Sequence, residues 1–221
     1  MPVTLQTIKD NPLVNDYLKM GNNYIGCVGA LEHNVQHAEY TSALCSDILT
    51  QLGCPEREAE LGAIAGYLHD IGNLVNRYGH GMSGALMAFG ILTDMGMEPE
   101  EIATIIGAIG NHEEHAQGQP VNNVAAALIL ADKSDVHRTR VRKNDFAAFT
   151  TRDRVNYAVT RSGLEVESGS RTIIMRLEID TQVTSVMEYF EIFLTKMLMC
   201  RHAAQHLRCE FELFINDTRL L

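Results

Sequence analysis

Apolar residues recur at helical spacing through the first two thirds of the chain. A first stretch, to about Ala30, carries a weak helical pattern broken by Pro12 and several glycines, and we expect a helical lead-in with loops. Five clearer helices follow, because one face of each is apolar while Gly or Pro marks its ends. Their predicted ranges are 32–52, 55–68, 83–95, 99–112 and 121–140.

The pattern changes after about residue 145. Two segments rich in β-branched residues, 154–160 and 171–180, predict strands, and 163–167 predicts a short strand between them. A long amphipathic helix is predicted over 184–206 and a last strand over 209–215. We therefore expect a mainly α protein, with a helical domain over 1–145 and a small α+β unit with an antiparallel sheet over 146–221.

The predicted helices assign inward positions to particular side chains. The helix over 83–95 would bury Ala85, Leu86, Phe89 and Leu92, and the helix over 184–206 would bury Phe193 and Leu194 among others.

Composition narrows the class of protein. The 221 residues are 46% hydrophobic, with no apolar run of transmembrane length and no signal-like N-terminus. The five cysteines include no Cys-x-x-Cys pair, which favours a reducing cytoplasm and argues against a thiolate zinc site. A net charge of −10 disfavours binding to large nucleic acids, and we expect no membrane partner.

Five polar side chains fall where these helices would place core residues: His37, His69, Asp70, His112 and Asp132. A buried imidazole beside a carboxylate needs a compensating partner, and a metal ion would serve several of these side chains at once. This donor set suits Fe, Mn, Zn or Ni, with Mg as another option. Each residue also has a simpler interpretation, as a hydrogen-bonded core histidine or an ordinary ion pair.

The order of these residues resembles the HD superfamily of metal-dependent phosphohydrolases. His37, the phrase Leu68-His69-Asp70-Ile71-Gly72 and the phrase Ala131-Asp132-Lys133-Ser134-Asp135 match that family over roughly residues 30–140. The resemblance implies an HD-type helical core in which His37, His69, Asp70 and Asp132 bind one ion. It also implies that Asp70 would bridge to a second ion.

Two further phrases are similar to the HD-GYP branch, whose members hold two ions. His80-Gly81-Met82-Ser83-Gly84-Ala85 resembles its His-Pro-x-x-Gly-Ala, and Asn111-His112-Glu113 resembles its His-His-Glu with one histidine replaced. The resemblance therefore implies His80 and His112 as ligands of a second ion. The resemblance to the HD-GYP branch implies a cyclic dinucleotide as substrate. Because Gly118-Gln119-Pro120 is only a degraded form of Gly-Tyr-Pro, we keep that substrate as an alternative. His33, one turn before His37, is either an extra ligand or a polar neighbour.

The phosphate-binding residues depart from the family pattern. Asn73 stands where the family often has lysine after the Asp-Ile-Gly phrase, so phosphate charge would fall to Lys133, Arg77 or Arg138. We expect Asp70 and Lys133 to be catalytic, and Asn73 to influence substrate preference.

The leading hypothesis is hydrolysis of a phosphoester in a nucleotide or a related small compound, by water activated on one or two divalent ions. Two alternatives stay open from the sequence. The same ligand types suit a di-iron oxygenase, and the C-terminal unit could make the protein a ligand-binding signalling module or a homodimer.

Overall fold

The computed structural model describes residues 2–115 and 118–221. Within them the helices are α1 Leu5–Lys9, α2 Pro12–Cys27, α3 Val35–Gln51, α4 Glu56–Leu68, α5 His80–Asp94, α6 Pro99–Gly110, α7 Asn123–Ser134, α8 Thr151–Ala158 and α9 Val186–His206. The strands are β1 Val159–Glu167, β2 Thr172–Ile179, β3 Glu210–Ile215 and β4 Thr218–Arg219. The prediction of a mainly α fold with a small C-terminal sheet is confirmed.

Local chemistry sets where the helices of the site begin. Asn34 and Asn122 cap α3 and α7, since each side-chain oxygen accepts a hydrogen bond from a backbone N–H in the first turn. Pro99 opens α6 at the position where its missing N–H costs nothing. The fifth predicted helix was too long, because α7 ends at Ser134 and residues 138–140 form a separate 3₁₀ turn.

The strand predicted over 154–160 is wrong for most of its length. Thr150 and Asp153 form a reciprocal capping box that starts helix α8 at Thr151, and the strand begins only at Val159. The expected short strand over 163–167 is the second half of β1.

The sheet has the order β1-β2-β3-β4 and is not wholly antiparallel. The pairs β1–β2 and β3–β4 are antiparallel, as expected, whereas β2 and β3 run parallel. The parallel pair arises because α9 crosses over between these two strands.

Three predicted core residues lie at the surface instead. Leu86 and Phe89 on α5 are 74% and 51% exposed, and Leu194 on α9 is 52% exposed. Helix α5 packs through its other face, where Gly84, Ala88 and Leu92 are buried.

Two glycines allow close contacts beneath the site. Gly66 on α4 lies against the backbone of Ser42 on α3, where an added Cβ would come within 2.8 Å of Ser42 Cα. Gly72 follows the His69-Asp70 pair, and a Cβ there would overlap the carbonyl oxygen of His80. Small residues at these points let α3, α4 and α5 bring their histidines together.

One cluster of buried apolar side chains runs through both halves of the chain. It includes Leu128 of α7, Phe193 and Met197 of α9, and Met175 of β2. The two halves of the chain therefore share a core, and the domain boundary near residue 145 stays a prediction. No helix among the described residues is both long and apolar enough to cross a lipid bilayer.

Candidate metal centre

Six side chains from five segments meet in the interior, next to a cleft. His37 comes from α3, His69 and Asp70 from the end of α4, His80 from the start of α5, His112 from the end of α6, and Asp132 from α7. All except Asp132 are buried, and the Asp132 side chain is 12% exposed. These are the six residues that the sequence predicts as metal ligands.

The four histidine rings are oriented by hydrogen bonds from Nδ1. His69, His80 and His112 each donate from Nδ1 to a backbone carbonyl, at 2.8, 2.9 and 2.6 Å. Nδ1 of His37 lies 2.6 Å from the carboxylate of Asp135. Because a carbonyl or carboxylate oxygen accepts, Nδ1 carries the proton in each ring and the lone pair of Nε2 points inward.

The Nε2 atoms converge in two pairs. His37 Nε2 lies 3.2 Å from His69 Nε2, and His80 Nε2 lies 3.0 Å from His112 Nε2. Two lone pairs this close do not form a hydrogen bond with each other, so a proton or a metal ion between them would stabilise each pair.

The carboxylate of Asp70 lies between the two pairs. Its Oδ2 is 3.2 Å from His69 Nε2 and 3.5 Å from His37 Nε2, while its Oδ1 is 3.3 Å from His80 Nε2. Oδ2 is buried and forms no hydrogen bond among the described residues. One oxygen thus faces each histidine pair, which is the arrangement of a bridging ligand.

The spacing of the donor atoms fits metal coordination. Three groups have donors within 4.8 Å of one another: His37 with His69 and Asp70, His69 with His112 and Asp132, and Asp70 with His80 and His112. Ligands about 2.1 Å from an ion are separated by roughly 3.0 to 3.4 Å along the edges of an octahedron or tetrahedron. The Asp70 separations of 3.2 Å to His69 and 3.3 Å to His80 lie within that range, and the 3.5 Å separation to His37 lies just above it.

The carboxylates are ionised and therefore competent to bind a cation. Burial alone would raise the pKa of Asp70, but the neighbouring histidines hold that pKa well below its usual range. Burial opposes ionisation of Asp132 as well, and Lys133 with His37 keeps its pKa low. Burial and the positive groups around it lower the pKa of His112, which keeps this ring neutral. Burial opposes protonation of His69, but the carboxylate of Asp70 outweighs it and raises the pKa of this ring, so a metal ion binding there would displace a proton.

Two acidic residues that the sequence analysis did not assign hold these ligands in place. Asp135 binds His37 and also pairs with Arg140, whose Nη1 lies 3.5 Å away. The carboxylate of Glu113 accepts from the backbone N–H groups of Gly79 and Gly81 and lies 3.4 Å from His80 Nδ1. Glu113 follows His112 directly, and Asp135 is three residues after Asp132. This proximity to predicted ligands is the only sign of their role in the sequence.

The residues predicted to contact substrate have different positions. Arg77 lines the cleft, and so does Lys133, whose Nζ donates to Asp132 Oδ2 at 2.7 Å. Asn73 is buried beneath the centre, where its amide donates to Asp70 Oδ1 at 2.8 Å, so we correct its role from substrate contact to support of Asp70. Arg138 is not on the cleft wall, because its guanidinium lies over the Tyr157 ring, 5.0 Å from the centroid.

His33 lines the cleft beside the centre without joining any of the three donor groups. Its Nδ1 lies 2.8 Å from the Leu31 carbonyl, and its ring meets that of His37 edge to face. Of the two alternatives for His33, this geometry supports a polar neighbour of the site and not an extra ligand.

The cleft carries more cations than the sequence analysis assigned to it. Arg140, Arg152 and Lys196 line it together with Arg77 and Lys133. Arg152 and Lys196 belong to α8 and α9, for which the sequence contains no recognisable motif, so packing alone reveals them.

Comparison with known proteins agrees with this geometry. The family model of the HD domain matches residues 31–136, which contain all six converging side chains. No curated protein matches the chain. Among solved structures, a predicted HD superfamily hydrolase from an uncultured Thermotogales bacterium is 22% identical, covering 57% of this chain and 67% of that chain with a TM-score of 0.44. That similarity is too low to add to the argument.

The match to the family model and the converging histidines and aspartates lie in the same segment of the chain. Residues 31–136, the segment that holds the whole donor set, are an HD domain.

Proposed function

We propose that the protein is a metal-dependent phosphohydrolase that cleaves a phosphoester of a nucleotide or a related small phosphate compound. The observation that carries this proposal is the position of Asp70, with one carboxylate oxygen facing each of two histidine pairs. A carboxylate shared between two sites can hold two ions about 3.5 to 4 Å apart, which is the separation found in two-ion hydrolysis. The HD domain over residues 31–136 supports a metal-dependent hydrolase in general.

The ligands divide between two sites. His37, His69 and Asp132 would hold one ion and His80 with His112 the other, with Asp70 contributing to both. Divalent ions bound there would polarise a phosphoryl oxygen and lower the pKa of a bound water to near neutrality. A transition metal such as Fe, Mn, Zn or Ni suits this set of imidazoles and carboxylates.

The remaining residues of the cleft orient and neutralise the substrate. Lys133 Nζ lies 2.7 Å from Asp132 Oδ2 and 3.7 Å from Glu114 Oε2, so its ammonium is next to the candidate metal ligands. Arg77 lines the same cleft, and the one hydrogen bond of its guanidinium within the described residues is a long contact of 3.4 Å with Asn73. Both cations would stabilise negative charge that develops on the phosphoryl group.

Elemental analysis combined with a phosphoester panel tests this function. We expect purified protein to carry up to two transition-metal ions per chain and to hydrolyse at least one nucleotide or sugar phosphate. Asp70→Ala should lose at least one ion and reduce kcat by about 10³-fold or more. Asp47→Ala, an exposed carboxylate on α3, is the matched control and should retain both metal and rate.

Two results would contradict the proposal. One is unchanged metal content together with unchanged hydrolysis in Asp70→Ala. The other is oxygen consumption by the metal-loaded protein with no turnover of any phosphoester, which would favour the oxygenase alternative.

A further inference from the structure

The cleft beside the metal centre is walled in part by residues outside the HD segment. Arg152 of α8 and Phe193 and Lys196 of α9 line it, and all three follow residue 136. The C-terminal unit therefore contributes side chains to the cleft as well as completing the core.

Lys133, Arg140 and Arg152 in the cleft wall each have a carboxylate partner, whereas Lys196 has none within the described residues. Arg77 also lacks a carboxylate, but its guanidinium contacts Asn73. Lys133 Nζ lies 2.7 Å from Asp132, and Arg152 Nη2 lies 3.3 Å from Glu114. Among residues 2–115 and 118–221, Lys196 forms no ion pair, and its ammonium lies over the ring of Phe193, 4.7 Å from the centroid.

An unpaired ammonium in this position is energetically unfavourable. Burial lowers the pKa of Lys196 to about 8, although the charge of Glu114 opposes that effect. The nearby carboxylates are already engaged: Glu114 by Arg152 and Lys133, and Asp153 by Lys143 at 2.6 Å. An anion from outside the chain would supply the missing partner.

Basic and acidic side chains line this cleft in equal number, five of each. The acidic ones are all engaged elsewhere: Asp70 and Asp132 belong to the candidate metal centre, while Glu113, Glu114 and Asp153 contact His80, Arg152 and Lys143. Arg77, Lys133 and the metal ligands lie within or beside the HD motifs, whereas Arg152 and Lys196 come from the other unit. Cations at two places in the cleft can bind two separate anionic groups of the same ligand.

We infer that Lys196, flanked by Arg152, forms a subsite for a second anionic group of the substrate, separate from the phosphoester that is cleaved. The substrate class is thus a phosphoester whose organic part carries another phosphate or a carboxylate. The inference rests on the proposed function where it concerns the reaction. Binding of an anion at the subsite can be measured whether or not the protein hydrolyses the ligand. Lys196 is a specificity-determining residue in this arrangement.

Paired ligands that differ by one anionic group test the subsite. Full-length protein loaded with Mn²⁺ is titrated calorimetrically with adenosine 5′-monophosphate and adenosine 3′,5′-bisphosphate, and with glycerol 1-phosphate and 3-phosphoglycerate. We expect wild type to bind the ligand with the extra group about tenfold tighter in at least one pair, since a buried charged contact contributes on the order of one factor of ten.

Three variants separate the subsite from general electrostatics. Lys196→Gln should abolish the preference within the pair, and Lys196→Arg should retain most of it because the charge remains. Lys19→Gln, an exposed lysine on α2, removes the same charge elsewhere and should leave the preference intact. Lys196→Gln should also unfold at or above the wild-type temperature, because it removes an unfavourable charge and breaks no ion pair among the described residues.

The outcomes distinguish the two proposals. Loss of the preference in Lys196→Gln supports the subsite even if no phosphoester is hydrolysed, in which case only the proposed function fails. Hydrolysis by wild type with the preference unchanged in Lys196→Gln, or equally reduced in Lys19→Gln, overturns the subsite alone. Absence of any preference in both pairs of ligands also overturns it.

Discussion

Each histidine of the metal centre donates a hydrogen bond from Nδ1, and these bonds fix the direction of Nε2. For His69, His80 and His112 the acceptor is the backbone carbonyl three residues earlier in the chain, so local structure orients these rings. His37 differs because its acceptor, Asp135, is 98 residues away. A charged acceptor also makes the ring a stronger ligand.

The contact between His37 and Asp135 predicts a measurable effect on metal binding. Asp135→Ala frees the His37 ring to rotate, and we expect metal affinity to fall by about 10- to 100-fold. Competition with a chelator of known affinity measures the change. Asp47→Ala on the same helix as His37 is the control, and an affinity equal to wild type in Asp135→Ala would contradict the role assigned to this carboxylate.

A second carboxylate, Asp153, predicts a dependence of stability on pH. It accepts from Lys143 Nζ at 2.6 Å and from the Thr150 hydroxyl and amide at 2.7 and 2.8 Å. Burial opposes ionisation, but these donors hold the pKa of Asp153 below its ordinary 3.8. A lowered pKa means that the folded state gains stability above about pH 4 and loses it as pH falls further.

Asp153→Asn should therefore lower the free energy of unfolding by about 1 to 3 kcal/mol at neutral pH. The difference from wild type should be constant between pH 7 and 5 and should narrow below about pH 4. Urea denaturation at several pH values measures it. Asp217→Asn, an exposed aspartate, should show no such gap, and a gap for Asp153→Asn that widens in acid would refute the argument.

At the scale of elements, the sequence predicted most helices well because their ends carry explicit signals. Prolines and asparagines mark the starts of α6, α3 and α7, and these boundaries agree within a few residues. The segment 154–160 was misjudged because its β-branched residues outweighed a capping box that lies just before it. The exposure of Leu86 and Phe89 was missed because α5 packs through glycine and alanine instead.

The site was predictable to the extent that it lies in motifs. The six residues brought together by the fold all come from phrases whose spacing is recognisable in the sequence. The sequence predicts a role for Asn73 in substrate preference, because it cannot show that the Asn73 amide donates to Asp70. Arg152 and Lys196 were invisible for another reason, since only the packing of α8 and α9 brings them to the cleft.

The close contact at Gly72 predicts a strong effect of a single methyl group. A Cβ at this position would overlap the backbone of His80 and Gly84, neither of which can move without shifting α5. We expect Gly72→Ala to destabilise the protein by about 2 to 4 kcal/mol and to weaken metal binding.

Gly90→Ala, on the same helix as His80, provides the matched control. An added Cβ there meets nothing within 4 Å, so the substitution should be neutral or stabilise by up to about 1 kcal/mol. Thermal denaturation of both variants measures the contrast. Equal stability of the two variants would show that the contact at Gly72 is unimportant.

At the scale of the whole molecule, the HD domain and the C-terminal unit share one apolar core. Helices α7 and α9 pack together, and Phe193 and Met197 join the same buried cluster as Leu128. Two units joined in this way lose their packing together when either one unfolds.

We therefore expect one cooperative unfolding transition for the full chain. Differential scanning calorimetry in the presence of a chelator should give equal calorimetric and van't Hoff enthalpies. Two resolved transitions, or a calorimetric enthalpy well above the van't Hoff value, would show that the units unfold independently.

The bond between His37 and Asp135 has a consequence for how the protein is made. Because a ribosome synthesises the chain from its N-terminus, His37 emerges about a hundred residues before Asp132 and Asp135. His69, Asp70, His80 and His112 also precede them. A nascent chain therefore lacks the complete set of candidate ligands until Asp132 and Asp135 have been synthesised, so we expect metal capture with native affinity only after that point.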